Sequence, residues 1–135
     1  MKLRSQARSR GFTLIEMLVV ISMILILLSI ALPMYNQAIQ HTRETRLHQD
    51  LKTLNDAIDN YSLHKGHAPQ SPEDLVQAGY IKFIPDDITG RTDTWKWNNE
   101  DPQNAWDPNN TGIGSVQSGS DAISSDGRPY SAWDH

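Results

Sequence analysis

The chain has 135 residues, twelve Lys and Arg against sixteen Asp and Glu, and no cysteine. That length excludes a multidomain enzyme, and without cysteine any loop that needs a tie must find one other than a disulfide. Charge is unevenly placed: Lys2, Arg4, Arg8 and Arg10 stand at the start with no acid among them, while the part from Tyr35 onward holds eight basic against fifteen acidic residues and no basic stripe, which argues against a nucleic-acid surface.

In chain order, the first feature is the basic leader, joined through Arg10 and Gly11 to an apolar run from Phe12 to Leu32. As a helix, the run's 21 residues would span roughly 31 Å, about the hydrocarbon thickness of a bilayer. The distribution of basic residues keeps the N-terminus in the cytoplasm and puts the acidic remainder across the membrane. An ordinary secretory signal has an apolar core of only about 7 to 15 residues and a small-residue cleavage site. A simple signal anchor gives no reason for Glu16, a carboxylate one helical turn into lipid, where an unpaired charge is costly. A cut between Gly11 and Phe12 would create a free ammonium one turn from Glu16. In a bundle of identical helices the ammonium of one subunit could meet Glu16 of the next and neutralise both charges.

Pro33 predicts a kink just past the run, because it removes a backbone hydrogen bond to Ser29. Helix then resumes. No Gly or Pro occurs from Tyr35 to Lys65, and Leu47, Leu51, Leu54, Ile58 and Tyr61 recur at steps of 4, 3, 4 and 3, one helical stripe suited to a core. Arg43, Glu44, Gln49, Lys52, Asp56, Asp59 and Asn60 are assigned to the opposite, solvated face. His64 and Lys65 suit the helix C-terminus and Gly66 its cap, and that glycine breaks the helix that would bring His64 and His67 together as a metal pair.

Ser71, Pro72, Glu73 and Asp74 predict a short helix with a serine cap, ending near Gly79 with Leu75 and Val76 on its buried side. The alternation from Thr92 to Asn98 predicts a strand with Trp95 and Trp97 inward, and Ile113 to Ser118 a second one. Turn-rich sequence separates them, so the sheet is small and antiparallel. Ser and Asp are plentiful, but His41 and His48 fall on the long helix and His135 is terminal, so no grouping of Ser, His and acid suggests catalysis.

The last thirty residues hold Asp121, Asp126, several hydroxyls and glycines. These are the ingredients of an oxygen-only Ca2+ site, although the spacing is not that of an EF-hand, and a solvated hairpin with Asp126-Gly127 at its turn is the other reading of the same residues.

Taken together, the basic leader, Arg10-Gly11, Phe12, Glu16 and the apolar run resemble the signal of type IV pilins and type II secretion pseudopilins, and the passage from Gly79 to Pro85 is similar to the connecting segment of the major pseudopilins. The resemblance implies an α+β pilin-like fold, with a long N-terminal helix packed on a small antiparallel sheet and a loop-rich C-terminus. It implies a leader over 1–11, cleaved by a prepilin peptidase after Gly11 with N-methylation of Phe12. It further implies a membrane and filament-core helix over 12–34 and a periplasmic domain over 35–135. Glu16 would guide docking into a filament built of this chain and minor pseudopilins on an inner-membrane assembly platform. The expected role is structural: a subunit whose polymerisation drives export of folded proteins. A type IV pilin for adhesion or motility, and a tethered periplasmic binding module that never polymerises, are the alternatives. Ser118-Gly119-Ser120-Asp121, Asp126 and Trp133 resemble the calcium loop of major pseudopilins, which implies structural Ca2+ on Asp121 and Asp126 with Ser118 and Ser125. Ala122 stands where that loop has glycine, and Pro129-Tyr130 is additional.

Overall fold

The computed structural model describes residues 11–134, so the leader residues before Gly11 lie outside the described part. The elements are α1 (Leu14–Lys65), α2 (Pro72–Gln77), β1 (Lys96–Asn99), β2 (Ile113–Gln117) and a 3-10 turn at Tyr130–Ala132. By its internal contacts the chain divides into two units, Met1–Ala38 and Ile39–His135.

In the first unit every described side chain is exposed, among them Leu14, Ile15, Leu27 and Ile30. The helix is long and apolar enough to cross a membrane. Two of its serines here bond back to the helix backbone: Ser22 Oγ donates to the Leu18 carbonyl at 2.7 Å and Ser29 Oγ to the Ile26 carbonyl at 2.6 Å. Helix is continuous through Pro33.

In the second unit the predicted stripe is the core. Leu47, Leu51, Leu54, Ile58 and Tyr61 are buried, together with Leu75, Trp95, Ile113, Val116, Tyr130 and Trp133. Glu44 corrects the predicted polar face: at 5% exposure it continues the stripe one step before Leu47. α1 ends as expected, with Gly66 at φ 76° and its N–H on the Ser62 carbonyl at 2.9 Å. On either side of it His64 bonds Tyr80 and His67 bonds the Ala68 carbonyl, so the two imidazoles have separate partners.

α2 begins behind Ser71, and the Asp74 carboxylate accepts the Ser71 N–H at 3.0 Å and the Gln70 N–H at 2.9 Å. Leu75 is fully buried and Val76 partly so. β1 pairs with β2 antiparallel, Lys96 opposite Gln117 and Trp97 opposite Val116, with a bulge after Asn98. Gly114 sits at that bulge, where a Cβ would come 2.9 Å from Glu100 Cγ. β1 starts four residues later than the sequence predicts. Thr94 is drawn out of the ladder by Asp87 and Thr89, and Trp95, though buried, precedes the strand and donates its indole N–H to the Pro85 carbonyl at 2.8 Å. On its other edge Val116 gives both backbone groups to Asn55 of α1. Its N–H donates to Asn55 Oδ1 at 3.1 Å, and its carbonyl accepts from Asn55 Nδ2 at 3.3 Å. A buried amide thus stands in for a third strand.

Candidate functional site

Two regions carry the residues that the sequence singles out. At the first, Thr13 is the N-cap of α1. Glu16 Oε2 accepts the Thr13 N–H at 3.0 Å, Thr13 Oγ1 accepts the Glu16 N–H at 3.2 Å, and the Thr13 carbonyl accepts the Met17 N–H at 3.1 Å. This reciprocal arrangement is a capping box, which places a carboxylate at the positive end of the helix dipole. Thr13 was not foreseen as a functional residue, although the Thr-x-x-Glu spacing announces it. Phe12 stands 80% exposed beside this turn. Gly11 is exposed as well, with open space where a Cβ would project and no left-handed φ.

The second region is the segment from Ser118 to Trp133. Ser118 is fully buried, and its hydroxyl donates to Asp87 Oδ1 at 2.6 Å. Ser125 donates its N–H to Glu44 Oε1 at 2.8 Å and its hydroxyl to Glu44 Oε2. Asp126 accepts the Ser124 hydroxyl and is paired with Arg128, whose Nη2 lies 2.8 Å from Oδ2. These contacts, the Ser124 hydroxyl first and then Arg128, hold its carboxyl down at about 2. Asp121 is exposed, with the Ser131 hydroxyl on Oδ1 at 2.7 Å and Lys96 Nζ 3.9 Å away. Of the four residues expected to bind Ca2+, Ser118 and Ser125 donate their hydroxyl protons to other carboxylates and Asp126 is paired with Arg128. Among the described residues no three of His, Cys, Asp or Glu gather as a metal-holding group.

The carboxylates that organise this region are Glu44 and Asp87, both unforeseen as site residues. Glu44 lies at the right phase to be found, three residues before Leu47. Asp87 has no such signal, because its C-terminal loop partners Ser118 and Gly119 are 31 and 32 residues away in sequence. Burial alone would push the Glu44 carboxyl up, but the bonds from Ser125, Tyr130 and Gln40 outweigh it and hold it below the ordinary value. The Tyr130 hydroxyl is shifted up by burial and by its bond to Glu44. Trp133, the terminal aromatic, is buried. It stacks on His48 with ring centroids 4.1 Å apart and meets Tyr130 edge-on at 5.2 Å.

An exposed apolar helix headed by a Thr-x-x-Glu turn, followed by a helix-backed two-stranded sheet, defines a pilin-like protein of the prepilin class. Residues 6–32 match the family described as the prokaryotic N-terminal methylation motif. Over 104 residues the chain is 33% identical to type II secretion system core protein G of Escherichia coli (strain K12), covering 65% of this chain and 72% of that protein. The chain belongs to the family of that core protein G. No solved structure matches it.

Proposed function

We propose that this chain is the structural subunit of a type II secretion pseudopilus, polymerising to drive export of folded proteins. The observation that carries the reading is the capped Thr13–Glu16 turn at the head of a helix whose apolar first part is exposed throughout, in a chain of the core protein G family. Residues 12–34 would hold the subunit in the inner membrane, with the N-terminus cytoplasmic and the acidic domain over 35–135 periplasmic.

A prepilin peptidase would cut between Gly11 and Phe12 and methylate the new terminus. Nothing in the fold demands glycine at position 11, where a side chain would meet open space. A peptidase subsite that admits no side chain would give glycine its role there. The cut leaves an ammonium at Phe12, one turn from Glu16. Each carboxylate has about four acceptor sites. Glu16 can therefore keep its Thr13 bond while it takes the ammonium of a neighbouring subunit, so two charges that lipid disfavours cancel as the helices associate. Further copies of the chain, minor pseudopilins and an inner-membrane assembly platform would be its partners, and the role involves no catalysis.

The test is Glu16→Leu. Removing a charge from lipid leaves membrane insertion intact or improves it, while crosslinked multimers and secretion of the system's cargo are lost. Unchanged multimers and secretion would overturn the proposal in favour of a tethered module that does not polymerise.

A further inference from the structure

The C-terminal loop of a domain without disulfides has to be fastened by something, and the polarity of its inward-facing groups says by what. A cation site needs a loop that turns oxygens inward: carbonyls, carboxylates and hydroxyl lone pairs. Here the loop turns N–H and O–H groups inward, onto carboxylates supplied by the rest of the domain. Glu44 of α1 accepts four bonds, from Ser125 N, Ser125 Oγ, Tyr130 Oη at 2.9 Å and Gln40 Nε2 at 3.1 Å. Asp87 accepts four as well, from Ser118 Oγ, Gly119 N at 2.9 Å, Thr94 Oγ1 at 2.9 Å and Ile88 N at 2.7 Å. Each carboxylate is thereby saturated, all eight donors are uncharged, and Glu44 and Asp87 are 5% and 3% exposed.

The loop is fastened at its start by Ser118 and Gly119, at its middle by Ser125, and at its end by Tyr130. The loop's own acids point elsewhere, Asp121 to Ser131 and Lys96 and Asp126 to Arg128. A cation introduced at the fastening points would face the positive ends of the donor dipoles.

We propose that Glu44 and Asp87 lock the C-terminal loop in its folded form, and that this lock takes the place of the structural Ca2+ that the loop's resemblance implies. A buried carboxylate is a strong fastener because its charge must be satisfied at every lone pair, so the loop cannot peel away one bond at a time without leaving charge unpaired in the interior.

The experiment uses the full chain in detergent micelles, with thermal melting and amide hydrogen exchange at Gly119 and Ser125 as readouts. Millimolar Ca2+ and excess chelator should give the same melting temperature and the same protection at both amides. Glu44→Gln keeps the shape but loses the charge and one acceptor atom, and it should lower the melting temperature by roughly 10 °C and speed exchange at Ser125, with neither restored by Ca2+. Ser125→Ala, which leaves the core untouched, should shift both readouts in the same direction to a smaller extent and keeps the test decisive if Glu44→Gln fails to fold. A wild-type melting temperature raised several degrees by Ca2+, with protection at Gly119 and Ser125 rising alongside and both effects abolished by Asp121→Ala, would overturn the proposal.

Discussion

Asn55→Leu probes the joint between α1 and the sheet. Asn55 is 2% exposed and is nearly isosteric with leucine, so the substitution changes hydrogen bonding far more than volume. It removes the acceptor for Val116 N–H and the donor to the Val116 carbonyl. It also removes a bond to the Leu51 carbonyl at 2.9 Å, which already lies in the helix ladder. Two buried backbone groups are left unpaired at about 1–3 kcal/mol each. Burying a leucine instead of an amide offsets roughly 1–2 kcal/mol of this, so the central net loss is about 2.5 kcal/mol. At roughly 4–8 °C per kcal/mol for a domain of about 100 residues, the melting temperature should fall by about 10–20 °C. Circular dichroism melting of the full chain in detergent measures it, with exchange at the Val116 amide as the local readout. A variant as stable as the wild type, with Val116 still protected, would refute the idea that Asn55 substitutes for a neighbouring strand.

Gly119→Ala should be destabilising well beyond its size, since the new Cβ would lie 1.8 Å from the Thr94 carbonyl oxygen and the backbone on one side has to move. A loss of roughly 1–3 kcal/mol is expected in denaturant titration, and an unchanged midpoint would contradict the close packing of this turn. Acid should weaken the domain in a defined sense. Glu44 and Asp126 have folded values below their ordinary 4.5 and 3.8, Asp126 at about 2. Their contribution is therefore complete above those ordinary values and is lost as pH falls through the lower folded ones. Asp50, pushed up by burial, works in the opposite direction. The melting temperature should decline below about pH 4.5, with a shallower decline in Glu44→Gln. A melting temperature that rises between pH 5 and pH 3 would show the sign to be wrong.

The helix stripe and both strands were legible because their periodicity reports burial directly: Leu47 to Tyr61 recur at helical spacing, and Val116 and Trp97 alternate with polar neighbours. The N-terminal segment was equally legible, since Gly11, Phe12 and Glu16 are consecutive features of one local pattern. Thr13 belongs to that pattern too, since the Thr-x-x-Glu spacing encodes the reciprocal cap, although the charge of Glu16 is the more conspicuous signal. Glu44 was placed on the wrong face because carboxylates are usually solvated. Its phase with Leu47 marked it as buried, but its partners Ser125 and Tyr130 lie 81 and 86 residues away. Asp87 was illegible for the same reason, as a loop acid shows no periodicity and its meaning depends on where Ser118 and Gly119 arrive. The C-terminal loop was the least legible part, because composition reveals which oxygens are present and not which way the loop turns its donors.

The central claim is that this chain is a prepilin-class subunit processed at its leader junction, and the most direct measurement is the intact mass, with N-terminal sequencing, of the mature protein from cells with an active prepilin peptidase. The account predicts a chain that begins at N-methylated Phe12. A mature chain that still carries Arg10 and Gly11 would contradict it.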